Sequence, residues 1–183
     1  GVSTKKLGRL NPGDEVRDLV GPLGTPSEIE LFGNVVCVGG GVGIAALYPI
    51  AKALQDKGNQ VISILGARSE GYLIMRDEME AGTARCIYAT DDGSCGHKGF
   101  VTDVLKEVLS GEEEIHRIIA VGPAVMMRAV AEVSRPFGVP TIASLNPIMV
   151  DGTGMCGACR VSVDGEVKFA CVDGPDFDAH KVD

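Results

Sequence analysis

Residues 34–47 have the sequence Asn34-Val-Val-Cys-Val-Gly-Gly-Gly-Val-Gly43-Ile-Ala-Ala-Leu47. The apolar run 35–38 predicts a short buried strand, and residues 44–57 follow the helical period. Between them lies a turn that is almost entirely glycine. Glycine lets backbone N–H groups approach a pyrophosphate closely, and the N-terminus of the helix that follows supplies partial positive charge. This strand, turn and helix therefore predict an α/β fold with a nucleotide-binding turn.

The glycine pattern also bears on which nucleotides the turn could bind. Gly39, Gly41 and Gly43 give G-x-G-x-G, with Ala46 where the last glycine of a G-x-G-x-x-G motif would stand. No Walker lysine follows, so the turn does not predict hydrolysis of nucleoside triphosphates. A glycine-rich turn without any ligand is the alternative, and the strand-turn-helix context favours binding.

The same alternation continues along the chain. Further strands are predicted at 61–65, 85–89, 117–121 and 140–144, and further helices at 72–80, 100–109 and 124–134. Alternating strands and helices predict a five-stranded parallel, doubly wound sheet with helices on both faces. Ligands of such sheets bind outside the carboxyl ends of the strands. The candidate nucleotide contacts are Gly39, Gly40, Gly41, Val42, Gly43, Ala67, Arg68, Asp91, Asp92, Gly122, Pro123 and Met126.

The side chains in these loops do not identify which nicotinamide nucleotide would bind. Arg68 follows the second strand and is a candidate for a 2′-phosphate, for stacking on adenine, or for an ordinary solvated surface residue. The choice between NADH and NADPH therefore stays open. Asp91, Asp92 and His97 suit acid–base work, and a helix-capping loop explains them equally well. Met126 and Met127 are better explained as core residues than as a platform for flavin.

A second motif lies near the C-terminus, where Asp151, Cys156, Cys159 and Cys171 have the spacing D-x4-C-x2-C-x11-C. With a cysteine at 151, this would be the ligand run of a plant-type [2Fe–2S] cluster. Predicted strands at 160–163 and 167–170, joined by Asp-Gly, form a hairpin that returns the last cysteine beside the third. The pattern favours an iron–sulfur cluster. There are three alternatives: a structural zinc site, disulfide bonds, or a cluster with a different fourth ligand. In the last case Asp151 would be an ordinary turn residue.

Composition excludes several classes of partner. The formal net charge of −8 and the absence of Trp argue against nucleic-acid binding, because phosphates repel an acidic surface and stacking needs aromatic rings. No apolar stretch is long enough to span a membrane, and no secretory signal opens the chain. We therefore expect a cytoplasmic protein whose six cysteines are reduced.

Several stretches resemble the NAD(P)-binding half of the ferredoxin–NADP reductase superfamily. They are Gly-Pro-Leu-Gly at 21–24, the glycines at 39–43, Thr-Asp-Asp-Gly-Ser at 90–94 and Gly-Pro-Ala-Val-Met-Met at 122–127. The stretch from 144–151 through 170–175 resembles more closely the small subunit of NADH-dependent ferredoxin:NADP oxidoreductase. The electron transfer subunit of dihydroorotate dehydrogenase is similar, but that family has a cysteine where Asp151 stands.

The resemblance implies a domain division and a function. Residues 1–30 would be the remnant of a flavin-binding β-barrel with a strand at 15–19, residues 31–145 the nicotinamide-nucleotide domain, and residues 146–183 the [2Fe–2S] module held by one Asp and three Cys. The protein would pass electrons between NAD(P)H, FAD and the cluster to a larger iron–sulfur flavoprotein subunit. The surface left by the missing barrel would favour a homodimer of the fragment. A non-catalytic nucleotide-binding module with a structural zinc is the alternative function.

Overall fold

A computed structural model describes all residues, 1–183. The strands are β1 (Asn34–Gly40), β2 (Gln60–Ala67), β3 (Arg85–Thr90), β4 (His97–Lys98), β5 (Arg117–Val121), β6 (Thr141–Ser144), β7 (Arg160–Val163), β8 (Glu166–Phe169) and β9 (Asp176–Asp178). The α-helices are α1 (Val2–Leu7), α2 (Gly43–Asp56), α3 (Arg76–Gly82), α4 (Val101–Leu109) and α5 (Ala124–Ser134). None of these helices combines the length and the hydropathy that a bilayer-spanning helix requires.

The main sheet contains seven strands in the order β4-β3-β2-β1-β5-β6-β9. All neighbours pair in parallel except β9, which pairs antiparallel with β6. The five predicted parallel strands are confirmed as β1, β2, β3, β5 and β6. The edge strands β4 and β9 were not predicted, because runs of two and three residues carry no hydrophobic period.

Helices cover both faces of the sheet, so the doubly wound α/β fold is confirmed. On one face, α2 and α3 pack over a cluster that includes the fully buried Ile44, Leu47 and Met79. On the other face, α4 and α5 pack over a cluster that includes the buried Leu105 and Val130. Strands buried on both faces are expected to be continuously apolar, which explains the run of valines in β1.

The parallel register brings the glycines of β1 to the carboxyl edge of the sheet. Gly39 pairs with Leu65 and Gly40 with Gly66, the second of these pairs being glycine on glycine. A Cβ atom at Gly39 would lie 3.0 Å from Leu47 Cδ2, so a side chain there would crowd the packing of the strand against α2. Gly39, Gly40 and Gly66 therefore leave stretches of both strands near this edge without side chains.

Two predictions of secondary structure were wrong. No strand forms at 15–19; instead α1 occupies Val2–Leu7, and the residues after it up to 33 are irregular and mostly exposed. A strand there would have no neighbour, and a lone strand is not stable. The helix predicted at 72–80 begins later, at Arg76, because Met75 has a left-handed backbone with φ of 54° that interrupts it.

The C-terminal segment forms the predicted hairpin and also extends the main sheet. Strands β7 and β8 pair antiparallel around Asp164 and Gly165, whose φ values of 55° and 73° suit a tight two-residue turn. Beyond the hairpin, β9 joins the edge of the main sheet, with Phe177 opposite Ala143. The cysteine-bearing residues are thus tied to the sheet on their C-terminal side. The division at 30 and 145 stays a prediction.

Candidate functional site

The glycine turn after β1 is held by the neighbouring strand. Gly41 has a left-handed backbone, with φ of 53°, and its N–H donates to the Gly66 carbonyl oxygen at 2.9 Å. A Cβ at Gly41 would meet nothing within 4 Å, so this residue faces open space at the carboxyl edge. The N–H of Val42 has no partner within the chain and lies at the N-terminus of α2. This is the arrangement that binds anions at a helix N-terminus.

Gly43 has a different role, which is packing. A side chain at Gly43 would overlap the carbonyl oxygen of Val121 and would lie 2.8 Å from Gly122 Cα. The first turn of α2 can therefore approach the end of β5 only because residue 43 is glycine. Gly39 is likewise a packing residue inside β1, so these two predicted contacts do not line the cleft described next.

A cleft of about 640 Å³ opens beside the turn, between the N-termini of α4 and α5. Of the predicted nucleotide contacts, it brings together Gly40, Gly41, Ala67, Arg68, Asp91, Pro123 and Met126. Residues that sequence reasoning missed complete the lining: Gly66, Gly99, Phe100, Val101, Thr102, Val125 and Ala129. Pockets with a mostly apolar wall and a few charged groups at the mouth are typical small-molecule sites.

The two methionines separate into one core residue and one cleft residue. Met127 is 5% exposed and belongs to the core between α5 and the sheet, as predicted. Met126 lies over the ends of β1 and β5, so closely that a side chain at Gly40 would overlap its sulfur. A Cβ at Gly122 would lie 2.7 Å from Met126 Cε. Gly122 therefore lies beneath Met126 and accommodates it at the floor of the cleft.

Of the charged residues predicted in the loops after β2 and β3, two line the cleft and one does not. Arg68 and Asp91 are exposed, line the cleft and form no ion pair with each other or with a neighbour. The carboxylate of Asp92 instead accepts hydrogen bonds from the Ser94 hydroxyl at 2.6 Å and its N–H at 2.9 Å. These bonds hold the pKa of Asp92 below its ordinary value. Asp92 is therefore a turn-forming residue outside the cleft.

At the C-terminal motif, the carboxylate of Asp151 organises the loop that carries Cys156. Its Oδ1 accepts the N–H of Thr153 at 2.7 Å, and its Oδ2 accepts the N–H of Cys156 at 2.8 Å. These backbone donors lower the pKa of Asp151, with Thr153 the larger influence. Gly152 and Gly154, with φ of 76° and 87°, allow the tight path from Asp151 to Cys156.

The last two cysteines meet at the open end of the hairpin. The Ala170 N–H donates to the Cys159 carbonyl oxygen at 3.1 Å, which continues the β7–β8 ladder by one pair as predicted. The sulfurs of Cys159 and Cys171 lie 3.3 Å apart, and both residues are buried. The backbone N–H of Cys171 lowers the pKa of the Cys159 thiol, and the shared hydrogen bond to Cys159 raises the pKa of Cys171.

The four predicted ligands are thus arranged as two pairs. Asp151 lies with Cys156 in one loop, and Cys159 lies with Cys171 at the hairpin end. No three His, Cys, Asp or Glu side chains surround a single point closely enough to hold one metal ion. This argues against a preformed tetrahedral zinc site, which needs four donors around one centre. A binuclear cluster needs two donors on each metal, and the pairs match that requirement.

The segment before β1 packs against the cysteine-bearing segment. The Thr25 N–H donates to the Gly174 carbonyl oxygen at 2.7 Å, and the Ser27 hydroxyl donates to Asp176 Oδ2 at 2.6 Å. Leu23 Cδ1 lies 2.9 Å from where a Cβ at Gly152 would stand. Residues 23–27 therefore connect the Asp151 loop to the edge of the main sheet, a contact that no sequence pattern predicts.

Comparison with known proteins agrees with both halves of this site. Residues 37–132 match the family model described as oxidoreductase NAD-binding domain. Residues 146–183 match the iron–sulfur cluster binding domain of dihydroorotate dehydrogenase B. An electron transfer subunit of dihydroorotate dehydrogenase B from Bacillus caldolyticus is 40% identical over 188 residues, which span this whole chain and 70% of the relative. The chain belongs to the family of the dihydroorotate dehydrogenase B electron transfer subunits.

Two further relatives are more similar in sequence to this chain than the Bacillus caldolyticus subunit is. The dihydroorotate dehydrogenase B electron transfer subunit homolog of Thermotoga maritima is 55% identical over 183 residues, spanning all of this chain and 64% of the relative. A solved structure of NADH-dependent reduced ferredoxin–NADP oxidoreductase superposes with a TM-score of 0.90 at 55% identity. That superposition covers 99% of this chain and 65% of the other. The chain therefore spans about two thirds of the length of these relatives.

The family assignment settles the general nature of the two regions. The chain has an NAD-binding oxidoreductase domain, which contains the cleft, and an iron–sulfur cluster binding domain, which contains the two pairs of predicted ligands. The predicted resemblance and the ferredoxin-reductase-like fold are confirmed. The individual contacts of the nucleotide and of the cluster stay predictions.

Proposed function

We propose that this protein transfers electrons between a nicotinamide nucleotide, an FAD and a [2Fe–2S] cluster, and passes them to a larger iron–sulfur flavoprotein subunit. The observation that carries the proposal is the arrangement of the four predicted ligands as two pairs within the segment that matches an iron–sulfur domain. The FAD and the partner are proposed for the whole protein, because the relatives extend beyond the region matched by this chain.

The donor chemistry fits the cluster. Two thiolates on one tetrahedral metal, each about 2.3 Å from it, lie roughly 3.8 Å apart. The 3.3 Å between the sulfurs of Cys159 and Cys171 is close to that separation. Asp151 and Cys156 would supply the second pair. When bound, the cluster supplies a one-electron carrier whose potential depends on its ligands and on hydrogen bonds to sulfur.

The protein's own residues prepare this site in three ways. Asp151 fixes the loop through its two backbone hydrogen bonds, so the backbone of Cys156 is held beside the carboxylate. Cys159 and Cys171 are buried, which limits the access of water to that pair. A carboxylate is a harder ligand than a thiolate, so Asp151 would distinguish one metal of the pair from the other.

At the other end of the protein, the turn between β1 and α2 would bind the pyrophosphate. Gly41 leaves open space in front of the backbone, and the free N–H of Val42 at the N-terminus of α2 can donate to a phosphate oxygen. The cleft between α4 and α5 is large enough for part of a dinucleotide. No side chain here is required as an acid or base, because the cofactors carry the chemistry.

Metal analysis and nucleotide binding test the proposal together. Protein prepared anaerobically should contain iron and inorganic sulfide in equal amounts, without zinc, and its visible absorption should bleach on addition of dithionite. It should bind one nicotinamide dinucleotide more tightly than ATP. Cys156→Ser should lose most of the iron, and Cys95→Ser should keep it, since Cys95 lies outside the ligand pairs. One zinc per chain, with no visible absorption, would overturn the proposal.

A further inference from the structure

Residues 23–25, a short segment before β1, contact both parts of the chain that carry the predicted cluster ligands. Leu23 Cδ1 lies 2.9 Å from where a Cβ at Gly152 would stand, and Gly152 directly follows the first predicted ligand. The Thr25 hydroxyl donates to the carbonyl oxygen of Val172 at 3.1 Å, and Val172 directly follows the last predicted ligand. We call residues 23–25 the clamp, because they hold the loop at 151–156 and the turn at 171–174 at once.

The backbone of the clamp is fixed against this turn as well. The N–H of Thr25 donates to the carbonyl oxygen of Gly174 at 2.7 Å. Gly24 has a left-handed backbone, with φ of 78°, and a side chain there would overlap the same carbonyl oxygen. The clamp therefore approaches the turn as closely as two stretches of backbone can, and glycine at 24 is what allows it.

Val172 completes the contact between the two ligand-bearing parts. A Cβ at Gly154 would lie 2.7 Å from Val172 Cγ2, and Gly154 lies between Asp151 and Cys156 in the loop. Val172 thus contacts the loop through its side chain and the clamp through its carbonyl oxygen. The loop, the turn and the clamp each contact the other two. The placement of one ligand pair relative to the other therefore depends on the clamp.

We propose that Leu23 and Thr25 are positioning residues for the [2Fe–2S] cluster, which set the separation of its two ligand pairs and thereby its retention and its reduction potential. The inference rests on the proposed function and adds to it two residues that are not ligands. Replacing residues that orient metal ligands, without touching the metal, typically costs about 10- to 100-fold in metal affinity.

The direction of the change in potential follows from solvent access. Leu23 covers Gly152 with an apolar group, and the potential of an iron–sulfur cluster depends on its exposure to solvent. Reduction adds negative charge, which nearby water stabilises. Loosening the clamp admits water between the loop and the turn, so it should raise the reduction potential.

The test measures two properties of the anaerobically prepared protein: the rate of iron release to a chelator, and the reduction potential from a dithionite titration followed by EPR. Thr25→Val removes the hydroxyl donor, keeps the side-chain volume and leaves the N–H bond to Gly174 in place. It should accelerate iron release roughly 10-fold and raise the potential. Leu23→Ala should change both properties in the same direction.

One rescue variant and two controls separate positioning from a general loss of structure. Thr25→Ser keeps the donor to Val172 and should restore the wild-type release rate and potential. Thr4→Val makes the same substitution in the exposed helix α1. Leu10→Ala does so for a leucine that is 43% exposed, close to the 46% of Leu23. Both controls should match the wild type.

Three results would overturn the inference. In the first, Thr25→Val and Leu23→Ala both keep the wild-type release rate and potential. In the second, Thr25→Ser behaves like Thr25→Val, which would show that the hydroxyl is not the group that matters. In the third, the controls change as much as the clamp variants do. A wild-type protein that contains zinc in place of iron and sulfide would instead overturn the proposed function, and with it this inference.

Discussion

The sulfurs of Cys159 and Cys171 lie 3.3 Å apart although the two residues are far apart in sequence. The β7–β8 hairpin brings them together, because Cys159 immediately precedes β7 and Cys171 follows Ala170, which pairs with Cys159. A disulfide requires a sulfur–sulfur bond of about 2.05 Å, so only a small movement separates these thiols from that bond.

Removal of the metal under oxidising conditions should therefore link Cys159 to Cys171. After anaerobic chelation and addition of diamide, the two thiols lose two electrons and two protons to the reagent and form one disulfide. Peptide mapping by mass spectrometry should find this pair in preference to any that includes the exposed Cys156. A dominant Cys156–Cys159 or Cys156–Cys171 link would show that the hairpin does not hold the pair in solution.

Substitution of Asp151 separates its proposed role as a ligand from its role in the loop. Asp151→Cys should keep the cluster and shift its reduction potential, since a thiolate is softer than a carboxylate. Asp151→Ala removes both the ligand and the acceptor for Thr153 and Cys156, so iron should be lost on gel filtration. Asp151→Asn removes the charge and keeps only one of the two acceptor oxygens, so it should hold the loop by one hydrogen bond instead of two. An unchanged spectrum, potential and iron content in Asp151→Ala would remove this residue from the ligand set.

Local chemistry explains which parts of the fold the sequence predicts. The hairpin at Asp164 and Gly165 is predictable because the turn residues themselves require its backbone angles. The strand β9 is not predictable, because three residues become a strand only through pairing with β6. The cysteine spacing predicts a ligand set but not its division into pairs, which depends on the hydrogen bonds of Asp151.

The residues of the cleft are likewise only partly predictable from the sequence. The glycines of the turn after β1 are recognisable from the sequence, but their different roles are not. Gly41 faces open space, whereas Gly43 packs against the end of β5. Phe100 carries no sequence signal, since a single aromatic residue before a helix has no period. Its position in the wall of the cleft depends on the packing of the start of α4 against the end of β2, which the sequence does not show.

Gly43→Ala should destabilise the protein by about 1–3 kcal/mol, the usual cost of forcing an extra methyl group into a packed site. The added Cβ would overlap the Val121 carbonyl oxygen, and backbone cannot rotate away as a side chain can. Gly71→Ala is the matched control, because a Cβ there would meet nothing within 4 Å. Urea unfolding followed by circular dichroism measures both variants, and equal midpoints would contradict the packing role of Gly43.

Asn59 connects the segment before β1 to the end of α2. It is fully buried, and its Oδ1 accepts the N–H groups of Phe32 and Gly33 at 2.7 and 3.0 Å. Its Nδ2 donates to the carbonyl oxygens of Glu30 and Leu54, both at 2.8 Å. All four hydrogen-bonding positions of the amide are thus used by backbone groups.

Asn59→Leu keeps a similar volume and leaves those four backbone groups without their partner. Because each lost hydrogen bond to a buried group costs about 1 kcal/mol, we expect a decrease of about 2–4 kcal/mol in the free energy of unfolding. Gln60→Ala, at the exposed neighbouring position, should change it by less than about 0.5 kcal/mol. Hydrogen exchange should show faster exchange at Phe32 and Gly33 in Asn59→Leu only. Unchanged protection at those two amides would mean that Asn59 does not hold this segment against the sheet.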